Sequence, residues 1–228
     1  MPFDTQPDTK WTLKAAHEAA GKMSDRNSKM PGSTFATDAF ACKVGSKLAK
    51  VKGSVCSRCY ARKLQKLRPS VDKGWQGNYL AATTMIATNP DRWVSACVFQ
   101  INRMANKSGE RYHRWFDSGD LDSVEMLAAI CEVARQTPNI AHWLPTREAA
   151  MVKAYAKQGT VPSNLVIRVS ATMIGDKPIT SYATTSTVHR KGSHQHGHEC
   201  PAPKQGGNCG DCRACWNPEV ANVSYGLH

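Results

Sequence analysis

The spacing of apolar and polar residues predicts helices in the first half of the chain and alternating strands and helices in the middle. Helices are predicted over about 61–67, 79–87, 90–106, 123–137 and 149–157, and strands over 111–116, 140–144 and 165–171. Strands joined by single helices of this length form right-handed parallel crossover units. The pattern therefore predicts an α/β fold with a partial TIM-barrel-like arrangement of parallel βα units.

Three regions differ in character along the chain. Residues 1–35 are polar and weakly patterned, and we predict an N-terminal arm that becomes ordered on contact. Residues 36–188 hold the predicted α/β domain and a first group of cysteines. Residues 189–228 form a C-terminal cysteine-rich loop that we expect to pack on this domain.

Polar residues cluster where the predicted strands end. In parallel α/β folds the carboxyl ends of the strands stay open and hold ligands. Charged residues at two successive strand ends are candidate catalytic residues: Asp117, Asp120, Arg147 and Glu148. Candidate cofactor-binding residues are Ser118, Gly119, Arg168 and Ser170. The alternative is that these are ordinary turn and cap residues, since such residue types are common in turns.

Composition and charge narrow the class of protein. None of the 228 residues belongs to an apolar run long enough for a membrane helix, and the N-terminus lacks a signal-peptide pattern, so we expect a cytoplasmic protein without a membrane partner. The net charge is +12, and residues 43–73 hold ten basic residues against one acidic residue, Asp72. A solvated basic face is the favoured interpretation; nucleic acid or another anionic partner is the alternative.

Nine cysteines are more than packing explains in a chain without secretory features, where disulfides are disfavoured. Cys97 and Cys131 lie on the apolar faces of predicted helices and are expected to be structural. Metal binding is the leading explanation for the other seven, which form two groups: Cys42, Cys56 and Cys59, and Cys200, Cys209, Cys212 and Cys215.

The C-terminal group has three cysteines at successive spacings of two residues, preceded by Cys200 at a spacing of eight. Such a run suits an iron–sulfur cluster, most simply [4Fe-4S], with zinc as the alternative. The nearby histidines His189, His194, His196 and His198 are interpreted as a solvated loop rather than as ligands. By contrast, His113 and His142 lie in predicted strands and are expected to be packed.

The N-terminal group supplies only three thiols, with thirteen residues between Cys42 and Cys56 and two between Cys56 and Cys59. Three ligands on a cubane leave one iron open to a substrate or cofactor, whereas four ligands make a closed site. One cluster that draws on both groups is an equally serious arrangement, because seven thiols cannot all bind one cubane.

Three motifs taken together resemble the bacteriophage gene product 88 family. They are RWFDSGDL at 114–121, HWLPTRE at 142–148 and GDCRACW at 210–216. The resemblance runs from about residue 33 to 225. It implies a phage-encoded protein that acts in the cytoplasm of a bacterial host, and it implies no particular reaction.

The chain also resembles, more distantly, the radical S-adenosylmethionine enzymes. The likeness lies in Cys56 and Cys59 ahead of a basic helix, and in Ser118–Asp120 after a strand, where those enzymes hold the amino group of the cofactor. The wide spacing of Cys42 from Cys56 departs from that family's pattern. This likeness implies a cluster at the open strand ends and S-adenosylmethionine as a candidate cofactor.

The sequence therefore predicts an iron–sulfur protein on a radical-enzyme-like scaffold, with enzymatic activity left open. The cluster is expected at the strand ends, facing Asp117, Asp120, Arg147 and Arg168. A zinc or iron–sulfur module without enzymatic activity, which binds nucleic acid through residues 43–73, is the second hypothesis. The third is a cluster with a purely structural role. The oligomeric state is unknown.

Overall fold

The structure, a computed structural model, describes residues 10–25 and 29–227. The helices are α1 Leu13–Ala20, α2 Lys43–Leu48, α3 Tyr60–Leu67, α4 Pro69–Thr88, α5 Pro90–Ser108, α6 Val124–Gln136 and α7 Ala149–Tyr155. The strands are β1 Ser33–Phe35, β2 Tyr112–Trp115, β3 Ala141–Thr146, β4 Leu165–Ser170, β5 Thr185–His189, β6 His198–Glu199 and β7 Asn222–Gly226. Short 3-10 helices lie at Val55–Arg58, Ala202–Lys204 and Ala214–Trp216.

The seven strands form one sheet in the order β1-β2-β3-β4-β5-β7-β6, and every paired neighbour is parallel. This confirms a mixed α/β fold compatible with parallel βα units. Because β1 to β5 follow chain order, right-handed crossovers between them favour helices on one face of the sheet. The described pairings run in a single row from β1 to β6, so closure into a barrel is not shown.

An aromatic cluster forms the centre of the core between the first strands and α5. The ring of Phe35 meets those of Trp93 and Trp115 edge-on, with centroids 6.4 and 5.9 Å apart. All three side chains are fully buried. Such aromatic pairs add about 0.5 to 1.5 kcal/mol each beyond their area burial, so the cluster fixes β1 and β2 firmly against the helix.

The N-terminal segment contributes to this core, whereas the sequence suggested a weakly patterned arm. α1 packs against α5 and buries Ala16, Ala19 and Ala20, and β1 pairs with β2. The signal was weak because α1 is short and presents small alanines, and because β1 has only three residues. Residues 1–9 of the predicted arm lie outside the described residues.

Two helix starts differ from what the sequence favours, namely Asp122 as the N-cap of the helix over 123–137, with Glu125 three residues on, and a helix start at residue 79. The N-cap of α6 is Ser123, whose hydroxyl accepts from the amide of Met126, whereas Asp122 accepts a hydrogen bond from Tyr79. α4 begins ten residues earlier than predicted, at Pro69, because proline suits the first turn and the polar stretch that follows carries no apolar periodicity. Among the described residues, no helix combines the length and apolar character needed to cross a bilayer.

Candidate functional site

A cavity of about 400 Å³ lies at the carboxyl ends of the parallel strands. The loops after β2, β3 and β4 line it, together with residues of β5 and β7 and the segment from Cys42 to Arg62. Because helices and loops cover the rest of a parallel sheet, this edge is where such folds bind ligands. The cavity is therefore the candidate functional site.

The loop after β2 enters the cavity through a strained turn. Phe116 has a φ of 54°, and no other residue except glycine has a positive φ within the described part of the chain. Gly119 has a φ of 84°, and a Cβ atom there would lie 1.9 Å from Oγ1 of Thr37. Strain of this kind costs about 1 to 3 kcal/mol and is concentrated at functional sites. The turn directs Asp117, Ser118 and Asp120 into the cavity wall.

Asp120 links this turn to the loop after β3. One carboxylate oxygen, Oδ1, accepts from the hydroxyl of Thr146 at 2.6 Å, and the other, Oδ2, accepts from the amide of Arg147 at 2.9 Å. Burial raises the pKa of Asp120 to about 6, and these hydrogen bonds oppose the rise. The carboxylate therefore holds Arg147 in position, and the candidate catalytic residues of the two loops are brought together.

Four buried polar atoms of the cavity lining have no hydrogen-bond partner among the described residues: Arg114 Nε, Asp117 Oδ1, Ser118 Oγ and Arg147 Nε. These four atoms are themselves buried, so a ligand in the cavity reaches them only when the side chains turn toward it. A guanidinium group donates to a carboxylate, and a carboxylate or hydroxyl oxygen accepts from an ammonium group. Together they complement the head group of an amino acid.

The first cysteine group borders the same cavity, which all three of its members line. A Cβ atom on Gly45 would lie 3.7 Å from the sulfurs of both Cys42 and Cys56, so these two sulfurs flank one small space. The 3-10 turn after Ser54 brings Cys59 close, with its amide donating to the carbonyl of Cys56 at 3.2 Å. Burial raises the pKa of Cys42, and the nearby charges of Asp120, Cys59 and Cys56 raise it further.

Neither cysteine group forms a closed site for a single metal ion among the described residues. Within residues 10–25 and 29–227, no three histidine, cysteine or carboxylate side chains converge closely enough to hold one metal ion. Zinc needs its thiolate sulfurs at about 2.3 Å, whereas a cubane is bound by thiolates spread around its corners.

The four C-terminal cysteines form a second, separate group. None of them is among the described residues that line the cavity. Burial raises the pKa of Cys209, and the neighbouring thiols of Cys200 and Cys212 raise it further. The Cys215 sulfur lies 3.1 Å from the hydroxyl of Tyr225. The structure thus gathers the seven candidate ligands as three and four.

Two of the predicted site residues, Arg168 and Glu148, lie outside the cavity lining, and a third, Ser170, belongs to it. Arg168 is fully buried and donates hydrogen bonds to backbone carbonyls, so its guanidinium does not line the cavity with the others. Glu148 lies behind the cavity wall, where Oε1 accepts from the amide of Val44 at 2.8 Å. Ser170 does line the cavity, and its hydroxyl shares a hydrogen bond with Ser186 at 2.9 Å.

The histidines and the remaining cysteines are distributed largely as expected. His113 and His142 are fully buried, as are Cys97 and Cys131, which confirms that they are packed. Burial lowers the pKa of His142 to about 3, so its ring is neutral at neutral pH. In the C-terminal tract, however, His189 is buried in β5 with Nδ1 2.7 Å from Oγ of Ser224, so the interpretation as a solvated loop is wrong for this residue. His198 is exposed on β6, with Nε2 3.3 Å from the Cys212 sulfur.

Comparison with known proteins tests the two family resemblances found in the sequence. A family model described as Gene product 88 matches residues 11–218. The chain belongs to the Gene product 88 family. The match includes both cysteine groups and the loops after β2 and β3, and it confirms the first resemblance found in the sequence. No curated protein and no solved structure matches the chain. The likeness to radical S-adenosylmethionine enzymes is not shown.

In this Gene product 88 chain, sequence reasoning missed three cavity residues. Arg114 lies on β2 opposite the buried face of His113 and Trp115, and strict alternation along that strand would have indicated it. Tyr60 follows Cys59 and donates from its hydroxyl to the carbonyl of Asp117. Tyr225 reaches the cavity from β7, a strand without a clear sequence signal.

Proposed function

We propose that this member of the Gene product 88 family is an iron–sulfur protein in which Cys42, Cys56 and Cys59 hold a [4Fe-4S] cluster beside the cavity. The observation that carries the proposal is that all three cysteines line the same cavity as Arg114, Asp117, Ser118 and Arg147. A cluster bound by three cysteines supplies one iron with an open position, where the donor atoms of a cofactor bind and electrons are passed.

The polar atoms of the cavity favour a cofactor that carries an amino acid head group. Arg114 and Arg147 donate to its carboxylate, while Asp117 and Ser118 accept from its ammonium group. Asp120 positions the Arg147 backbone and does not itself touch the ligand. This set matches the amino acid end of S-adenosylmethionine, and the proposed activity is radical chemistry that begins with its reductive cleavage.

Metal analysis tests the cluster. Protein purified without oxygen is expected to be brown and to contain iron and sulfide in similar amounts. Replacement of Cys42, Cys56 or Cys59 by alanine removes the part of the iron that this group binds. Cys131→Ala is the matched control, because its thiol is buried in the core away from the cavity and its loss leaves the iron content unchanged.

Cofactor cleavage tests the activity. With dithionite as the electron donor, the protein is expected to cleave S-adenosylmethionine by one electron into methionine and a 5′-deoxyadenosyl radical, which is recovered as 5′-deoxyadenosine after it takes a hydrogen atom from the substrate, the protein or the solvent. Arg147→Met raises the concentration of S-adenosylmethionine needed for half-saturation, because it removes a donor to the carboxylate and leaves the thiols in place. A fully loaded, reduced protein that neither binds nor cleaves S-adenosylmethionine would remove this activity from the proposal and leave the cluster.

A second candidate function, nucleic-acid binding, is favoured by the surface beside the cavity. Nine of the ten basic residues between 43 and 73 are exposed, and Arg58 and Arg62 also border the cavity. Exposed apolar side chains lie in or near the same stretch of chain: Phe40, Val51, Tyr60, Leu64, Leu67 and Leu80. Cations track phosphates, and an exposed aromatic ring such as Tyr60 stacks on unpaired bases.

Fluorescence anisotropy with a labelled single-stranded oligonucleotide tests this candidate. Affinity is expected to fall steeply as salt is raised from 50 to 200 mM. The double variant Lys63→Glu/Lys66→Glu on α3 should bind more weakly than the wild type. Lys153→Glu/Lys157→Glu, of equal charge change near α7, is the control. If the two double variants weaken oligonucleotide binding equally, the effect depends on net charge alone and contradicts a binding surface on α3.

A further inference from the structure

We propose that the four C-terminal cysteines, Cys200, Cys209, Cys212 and Cys215, form a second site that binds its own [4Fe-4S] cluster through four thiolates. Nothing in the family match assigns such a site. The inference depends on different residues from the proposed function and stands or falls separately.

The sheet brings the ends of this cysteine group together. β6 pairs in parallel with β7, with Glu199 opposite Ser224, and the amide of Cys200 donates to the carbonyl of Ser224 at 2.9 Å. Continuing that register sets Cys200 beside Tyr225. The hydroxyl of Tyr225 reaches the Cys215 sulfur, so thiols fifteen positions apart meet at one strand.

The loop between them turns tightly. The amide of Cys212 donates to the carbonyl of Cys209 at 3.0 Å, and that of Cys209 donates to the carbonyl of Lys29 at 2.7 Å. Gly207 and Gly210 have φ angles of 82° and 52°, a left-handed conformation that glycine adopts without steric cost. A tight loop of this kind keeps cysteines at spacings of two close together, as the thiolates around one cluster must be.

Cationic and hydrogen-bonding groups surround the site. The guanidinium of Arg213 lies within the cysteine loop and donates to the carbonyls of Gly210 and Cys212 at 2.6 and 3.0 Å. His198 and Tyr225 lie within hydrogen-bond distance of the Cys212 and Cys215 sulfurs. A cluster with four thiolates is anionic, so positive charge and donors to sulfur stabilise it. A single zinc ion is smaller than a cluster, so it would not need a loop that encloses so wide a space, and the same donors would stabilise it little.

The site is close to the cavity without belonging to it. Tyr225 lines the cavity with one part of its side chain and contacts Cys215 through its hydroxyl. Arg114 likewise lines the cavity and acts electrostatically on Cys215. With all four positions taken by thiolates, this second cluster has no open iron, so it suits electron transfer or structural support rather than cofactor binding.

Metal content of two anaerobically reconstituted variants tests the inference. One replaces Cys42, Cys56 and Cys59 by alanine, and the other replaces the four C-terminal cysteines by alanine. We expect the first variant to retain about half of the wild-type iron and sulfide, with no zinc, and a Mössbauer spectrum of a [4Fe-4S] centre. The iron and sulfide retained by the first variant report only on the C-terminal site.

Two outcomes overturn the inference: a first variant that folds and binds one zinc, and a first variant that folds and binds no metal. If the first variant instead matches the wild type in iron while the second variant retains none, the C-terminal site survives and the proposed function fails. Should the second variant fail to fold, Cys209→Ser in the otherwise intact chain is measured instead. It is expected to lower the iron content by up to half, and unchanged iron with an unchanged spectrum contradicts the proposal.

Discussion

Replacement of Arg168 by methionine probes how the C-terminal cysteine group is attached to the sheet. Arg168 lies on β4 and is fully buried without a carboxylate partner among the described residues. Its guanidinium instead donates to five backbone carbonyls, those of Thr185, Ala214, Cys215, Asn217 and Val220. Four of these carbonyls belong to the segment that carries the last cysteine.

The expected cost follows from these five hydrogen bonds, whose lengths run from 2.7 to 3.3 Å. Each buried carbonyl that loses its donor costs about 1 to 3 kcal/mol, and the loss of a buried cation returns part of that sum because its desolvation is relieved. We therefore expect Arg168→Met to lower the free energy of unfolding by roughly 3 to 5 kcal/mol. Arg168→Lys, with a single nitrogen, should fall between methionine and the wild type.

Urea unfolding of the metal-free protein, followed by tryptophan fluorescence, measures this cost. Arg103→Met on the exposed side of α5 is the control and should change stability by less than about 0.5 kcal/mol. Hydrogen exchange should show lost protection at 214–220 in the Arg168 variant. A loss below about 1 kcal/mol with unchanged protection there would refute the idea that this guanidinium anchors the segment.

Three further predictions address the two cysteine groups and the core. Gly45→Ala should lower iron binding by the N-terminal group severalfold, because the new Cβ atom lies 3.7 Å from two of its sulfurs. Gly77→Ala, whose Cβ atom enters open space, is the control, and equal iron contents in the two variants would contradict the prediction. Tyr225→Phe should make the midpoint potential of one cluster more negative, because the hydroxyl no longer donates to the Cys215 sulfur, and an unchanged voltammogram would contradict it. Burial holds the pKa of His142 near 3 when folded, against about 6.5 when unfolded, so the free energy of unfolding should fall as pH drops below 6.5, by up to roughly 4 kcal/mol near pH 3. His142→Gln should flatten this slope in urea unfolding at pH 7 and pH 4.5, and an identical slope would contradict the assignment.

The strands and their polar ends were predictable because they depend on local pattern. The apolar run at β4 and the loop after β2 both appear in the sequence, and the structure places Asp120 beside Arg147 as neighbouring parallel strands require. Helix caps were less certain. Asp122 and Ser123 are both good N-caps, and the hydroxyl of Tyr79, 43 positions away, binds Asp122 and leaves the cap to Ser123.

The role of Arg168 could not be predicted, because it depends on distant backbone atoms. Its place in a run of apolar residues near a strand end suggested a ligand contact. Four of the five carbonyls that bind it come from residues 46 to 52 positions later in the chain, on a segment with no periodicity to indicate its position. Only the folded chain shows that this cation faces backbone rather than the cavity.

The division of the cysteines was equally hidden in the sequence. Spacing alone allowed one cluster fed by both groups. The separation arises because β7 is inserted between β5 and β6, which places Tyr225 between the cavity and Cys215. The order of β5, β7 and β6 in the sheet is set by tertiary packing. No local pattern of apolar and polar residues in a single sequence predicts it.

The central claim is that Cys42, Cys56 and Cys59 hold a cluster of their own at the cavity. Its most direct test is the iron content and Mössbauer spectrum of a chain in which all four C-terminal cysteines are alanine, reconstituted without oxygen. The account predicts roughly four irons per folded chain in a [4Fe-4S] spectrum that changes when S-adenosylmethionine is added. A folded, iron-free protein would contradict it.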